Sequence, residues 1–212
     1  MRLRTPPWHK TFTGGDGCVP QLARPYCCVM SATKPRLSLA EWLVLCLVCE
    51  APAHGFAITR ILAADGELGQ IWRVPKPVVY RALQRLETLG LLATVEIQPS
   101  STGPARSLVD ATTAGRAAAA AWLSAPVSHT RDIRSELLVK LALLDRTGSD
   151  PGPLLAAQRQ QLRPVADALR ARLAEATGFD RTVMLWRCET VVATLRFLDA
   201  VSEPAGTSAP LG

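Results

Sequence analysis

The sequence predicts a mainly α protein with a single β-hairpin set among its helices. Apolar residues recur at steps of three and four along most of the chain beyond Ser38, the period of a helix with one buried face. Two short stretches, Leu91 to Gln98 and Arg106 to Ala111, break that period; both are rich in branched residues and they flank a turn-rich loop, Pro99 to Pro104. After Pro126 the composition changes again, and only long helical patterns remain.

The first helix opens at Ser38-Leu39-Ala40-Glu41, a capping-box pattern in which Ser and Glu satisfy free amides at a helix start. Leu39, Trp42, Leu43, Cys46 and Cys49 give it one apolar face, and Pro52 ends it. His54-Gly55-Phe56 opens a second helix with Ile58, Ile61 and Leu62 inward and Asp65-Gly66 as its stop. The third begins at Lys76-Pro77, where proline suits a first turn, and runs through Val79, Leu83, Leu86 and Leu89 to Gly90. The hairpin follows. Thr112-Thr113 then caps a fourth helix, Ala114 to Leu123, favoured by its alanine run. Ile133, Leu137, Leu141 and Leu144 mark one late helix; Leu162, Ala166, Leu169 and Leu173 a second; Leu185, Cys188, Val192, Leu195 and Leu198 a third. Gly178 and Asp180 separate the last two, and Pro164 implies a kink or a late start in the middle pattern.

These elements divide the chain into a disordered extension at 1–36, a first domain at 37–125, a helical domain at 126–203 and a disordered tail at 204–212. Met30 precedes the first clean helix signal by eight residues and is a candidate true start. No apolar run approaches the ~20 residues that span a bilayer, so a soluble protein is expected. Six cysteines, at 18, 27, 28, 46, 49 and 188, are too sparse for a secreted disulfide scaffold, which makes a reducing cytoplasm the default. Cys46-x-x-Cys49 invites a metal reading, but no second pair completes a zinc site; buried thiols are expected, with no metal and no cofactor.

The net charge of +6 carries little by itself. Residues 1–35 account for +4, and 36–125 and 126–212 net +1 each. Local placement matters more. Three helices followed by a hairpin is the order of a winged helix-turn-helix domain, whose third helix enters the DNA major groove while the hairpin lies along the backbone. With Val79, Leu83 and Leu86 inward, the outward positions of that helix are Lys76, Pro77, Val78, Tyr80, Arg81, Gln84 and Arg85. Lys and Arg pair with phosphates or guanine edges, Gln with adenine, and a tyrosine hydroxyl with a phosphate oxygen. Arg106, beside the Ser100-Ser101-Thr102-Gly103 tip, is a candidate wing contact. The long Leu and Val stripes of the late helices exceed what one small bundle covers, which points to a homodimer whose recognition helices lie roughly 34 Å apart.

The stretch Leu37 to Leu123 resembles the PadR family of bacterial transcription regulators. The resemblance is carried by Ala53-His54-Gly55-Phe56, by Val78-Val79-Tyr80-Arg81-Ala82-Leu83-Gln84-Arg85-Leu86-Glu87, by Gly90-Leu91-Leu92 and by Thr112-Thr113-Ala114-Gly115-Arg116. Arg134-Ser135-Glu136-Leu137-Leu138-Val139-Lys140-Leu141 resembles the opening of that family's C-terminal domain. The resemblance implies a homodimer bound to palindromic operator DNA, a repressor released by a small molecule, with Tyr80 and Arg81 as DNA contacts and His54 at a helix start facing a phosphate. Phe56 and Val109 depart from the family, which often has tyrosine at both positions.

Two rival classes find less support. An enzyme has few reagents here: His9, His54 and His129 lie in no nucleophile elbow, glycine-rich phosphate loop or zinc-helix motif, and Asp132, Ser135 and Glu136 near His129 read as a solvated helix face. A winged helix that binds protein without DNA is the alternative function, disfavoured by Lys76, Arg81 and Arg85. Trp42, Trp72, Trp122 and Trp186 are candidates for an aromatic effector pocket, Trp186 foremost because its helix is expected to face the partner chain.

Overall fold

The computed structural model describes residues 36–98 and 106–202. The extension, the Met30 question, the loop tip and the tail lie outside these residues. Among the described residues, seven α-helices and a three-stranded antiparallel sheet make a mainly α fold.

α1 (Leu39–Glu50) starts on the capping box: Ser38 Oγ accepts from the Glu41 amide, and the Ser38 amide donates to Glu41 Oε2 at 2.6 Å. The expectation of one apolar face is corrected. Every residue from Leu43 to Val48 is buried, because α1 is the central rod on which α3, α4 and the sheet pack. A helix segment covered on all sides gains nothing from a polar face, so Leu43 to Val48 is apolar throughout.

A two-residue strand, β1 (Ala53–His54), precedes α2 (Gly55–Ile61) and pairs with the hairpin, Ala53 opposite Val109 and His54 opposite Leu108. The sequence pattern holds no signal for so short a strand. α2 ends four residues before Asp65, and the chain then turns through hydrogen bonds such as Leu68 N to Ile61 O at 3.1 Å. α3 (Lys76–Thr88) begins with Pro77 in its first turn and is followed by Gly90, whose φ of 68° is the left-handed value that glycine tolerates. β2 (Leu92–Gln98) and β3 (Arg106–Ala111) form the wing, with a register shift between Thr94 and Glu96, and β3 is central in the order β1-β3-β2. α4 (Thr113–Ser124) is capped by Thr112, which accepts from the Gly115 amide at 3.1 Å.

A 3-10 turn, Thr130–Asp132, and a single π-helical turn, Ile133–Leu137, lead into α5 (Leu138–Arg146). α6 (Gly152–Glu175) runs through Pro164, so the late start is corrected; the proline is exposed, where a missing amide leaves no buried acceptor wanting. α7 (Gly178–Ser202) packs against α6 along Met184, Cys188, Val191 and Leu198. Leu185, expected inward, is 44% exposed.

Two apolar cores result. One is built on α1, α2, α3, the sheet and α4, the other on α6, α7 and the turn before α5. α5 serves both: Val139 and Leu143 join the first, while the preceding Ile133 and Leu137 join the second. Polar clasps reinforce the junction. Gln158, fully buried, accepts from the Val127 amide at 2.7 Å and donates to the Val127 carbonyl at 3.1 Å. Arg146 on α5 grips both carboxylate oxygens of Glu50, at 3.1 and 2.8 Å, and also bonds Glu67; these carboxylates hold its pKa above the ordinary arginine value.

Lys140 is the most deeply buried cation among the described residues, 1% exposed. Its ammonium donates to the Ala125 carbonyl at 2.8 Å, pairs with Glu136 at 2.9 Å and stands 4.6 Å from the centre of the Trp122 ring. Trp122 in turn stacks on Trp42 at 5.1 Å. The four tryptophans therefore share no pocket: two are core, Trp72 lies on the connector after α2, and Trp186 stands alone on α7. The thiol expectation holds for Cys46 and Cys188, which are buried, and less fully for Cys49, which is half-buried. Burial and the nearby Cys49 push the Cys46 thiol far up; burial raises Cys49, against the pull of Arg116.

Candidate nucleic-acid interface

α3 is anchored by Val79, Ala82 and Leu86, all buried, with Leu83 and Val78 half-buried against the first core. Val78 is thus not an outward position. Lys76, Tyr80, Arg81 and Gln84 do point outward. Lys76, Tyr80 and Gln84 recur every four residues, so a helix of 3.6 residues per turn stacks them in one row, with Arg81 next to Tyr80 and a step of about 100° further round. Lys76 and Arg81 make no ion pair among the described residues. The Lys76 ammonium lies 6.0 Å from the centre of the Tyr80 ring, a weak cation–π contact, and that ring is 45% exposed.

Arg85 is different. Its guanidinium donates to Glu41 Oε1 at 3.0 Å and to the Arg36 carbonyl at 3.4 Å, so it ties α3 to the start of α1. Half of its side chain stays exposed, but its charge already has a partner. Glu41 thereby serves twice, capping α1 through Oε2 and pairing through Oε1. From sequence alone Arg85 is indistinguishable from Arg81; only the fold brings Glu41, forty-four positions earlier, beneath one and not the other.

His54 caps α2 by position and makes no side-chain cap bond there. Its Nδ1 donates to the Ser107 carbonyl of β3 at 3.0 Å, so the imidazole ties α2 to the wing. Arg106 opens β3 opposite Gln98; its side chain lies outside the described residues. Trp186, 72% exposed, stands apart from α3 and borders a groove of about 670 Å³ with Arg134, Leu169 and Thr190. Of the candidate catalytic cluster, Glu136 is engaged with Lys140, and Ser135 Oγ donates to the Asp132 carbonyl at 3.2 Å.

Three helices, a hairpin wing and an exposed, partly cationic third helix are the parts of a winged helix-turn-helix. The model of the "Transcriptional regulator PadR-like family" matches residues 44–121. That segment is a PadR-like domain. It runs from within α1 to within α4, and so contains the whole of α3 and the wing.

At the two positions where the PadR-like domain departs from tyrosine, the structure separates the consequences. Val109 is buried, 7% exposed, in the first core. Phe56, in the first turn of α2, is 61% exposed. Among solved structures the chain is similar to Bacillus subtilis PadR in complex with operator DNA, at 16% identity and a TM-score of 0.41, covering 77% of this chain and 97% of that one. It is also similar to smu.1604c from Streptococcus mutans UA159, at 16% identity and a TM-score of 0.38, covering 76% and 96%. The comparison with curated proteins found no match.

Proposed function

We propose that this protein is a transcription regulator that binds double-stranded operator DNA as a homodimer, with α3 in the major groove and the wing along the backbone. The observation that carries this reading is the outward side of α3, where Lys76 and Arg81 are charged, exposed and without an ion-pair partner among the described residues. In this reading Arg81 and Gln84 meet base edges, Lys76 and Tyr80 meet phosphates, and His54 and Arg106 flank the backbone. Arg85 acts chiefly as a brace, its exposed half available to a phosphate.

The late helices supply the dimer contact. Phe179, Leu185 and Trp186 on α7 and Val165 on α6 are large apolar side chains open to solvent, and a second copy would cover them. The finer role is that of a repressor in the bacterial cytoplasm, released by a small molecule that binds beside Trp186. The groove there combines an aromatic ring with Arg134 and Arg187, which suits a ligand that is part apolar and part anionic.

The test is binding to fragments selected from genomic DNA over a range of salt. Affinity falls steeply as salt rises, because phosphate contacts release counterions. Arg81→Ala costs about 1 to 3 kcal/mol on the selected site and less on unrelated sequence if the residue reads a base. Binding that ignores salt, or an Arg81→Ala protein that binds as tightly as wild type, refutes the reading and favours a protein partner.

A further inference from the structure

We propose that Gly55 is a positioning residue for DNA recognition: the absence of a side chain at the start of α2 is what allows the Tyr80 ring its place on α3. The inference rests on the DNA-binding reading above. A Cβ built at Gly55 would stand 2.9 Å from Tyr80 Cε1, 3.3 Å from Tyr80 Cζ and 3.1 Å from Leu83 Cδ1. Carbon atoms in contact ordinarily sit about 3.5 to 4.0 Å apart. Two of the three crowded atoms belong to one rigid ring, and one of them carries the hydroxyl.

The Gly55 backbone is not free to give way, and Leu83 Cδ1, the end of a side chain, needs to yield by less than the ring does. The two residues before Gly55 are paired in register with Leu108 and Val109, His54 Nδ1 holds the Ser107 carbonyl, and Ile58 three residues on is buried. Leu83 packs against the first core. The Tyr80 ring belongs to a residue 45% exposed and is the group with most room to move. Gly55 is not among the described glycines with positive φ, so alanine meets no backbone penalty there and the largest displacement falls on the ring.

This gives the wing a mechanical link to the recognition helix. β3 holds β1, β1 holds Gly55, and the bare face of Gly55 holds the ring of Tyr80. The wing and the DNA-facing side of α3 are thereby kept in one fixed relation.

The experiment uses the full chain, a duplex selected by the wild-type protein from genomic DNA, and a scrambled duplex of equal length. Gly55→Ala is expected to weaken binding to the selected duplex by about tenfold, as for directly coupled neighbours, with the scrambled duplex less affected. In a Tyr80→Ala background the same change is expected to cost far less, because the crowded ring is gone and only the approach to the Leu83 methyl remains. The thermal midpoint of Gly55→Ala is expected to stay near that of wild type, the preference of alanine for a helical turn offsetting the crowding. If Gly55→Ala alone does not fold, the double variant must fold. Wild-type affinity in Gly55→Ala, an equal loss with and without the ring, or a double variant that stays unfolded each overturns this inference while leaving DNA binding intact. A wild-type protein without salt-dependent DNA binding overturns both.

Discussion

Lys140 and Glu136 allow an ordering of two mutational costs to be worked from geometry. At 2.9 Å and an effective dielectric constant near 20, their attraction is ~6 kcal/mol, while removing the lysine from water costs several kcal/mol, so the two nearly cancel. Lys140→Met abolishes both together and keeps most of the side-chain volume. What is lost is the charge-assisted bond to the Ala125 carbonyl and the contact with Trp122, partly offset by relief of desolvation, for a net cost of about 1 kcal/mol. Glu136→Ala removes only the attraction and strands a lysine that is 1% exposed. Because Glu136 is itself 30% exposed, water screens the pair and the cost is discounted to about 2 to 3 kcal/mol. Urea unfolding at fixed protein concentration measures both, the concentration being held because an associating protein gains stability by mass action. Should Lys140→Met prove the more damaging of the two, the assignment of the burial cost to the lysine is wrong.

Three further outcomes follow from the same geometry. The Cys46 thiol has a pKa raised above its ordinary 9.0 by burial, so its contribution to stability is complete below that value and is lost as the unfolded thiol ionises above it. Between pH 8 and pH 10.5 wild type should lose stability faster than Cys46→Ala, by up to about 1.4 kcal/mol per pH unit, and parallel curves would contradict the burial of the thiol. Cys49 shares the direction, so thiol alkylation of the folded protein should be slow at Cys46, intermediate at Cys49 and fast at both only in denaturant. A ligand that dissociates the protein from DNA should quench fluorescence in wild type and not in Trp186→Phe; an undiminished quench in the variant would move the effector away from α7.

The candidate DNA face was largely legible in the sequence because it depends on local periodicity. Once Val79 and Leu86 are inward, a 3.6-residue period leaves Lys76, Tyr80, Arg81 and Gln84 no other side. Arg85 was not resolvable in this way, since its partner Glu41 is remote in the chain. Gly55 carried a signal of a kind, a glycine at a helix start, but the reason for it is a ring twenty-five positions later. Val78 was misread because a periodic pattern assigns faces in steps of 100° and cannot see that the core reaches around the edge of the helix.

By itself the sequence determined what short-range physics controls: the capping box at Ser38, the stop at Gly90, the hairpin around residues 99–105, the Thr112 cap and three late helices. Each depends on residues near one another in the chain, whose backbone groups must find partners wherever the element lies. Tertiary structure alone decided that α1 is buried on all sides, that two residues become β1, that α7 packs along Met184 and Val191 while Leu185 faces outward, and that Lys140 is taken out of water beneath Trp122. Burial is a property of what packs against a residue from elsewhere in the chain, and no local pattern contains it.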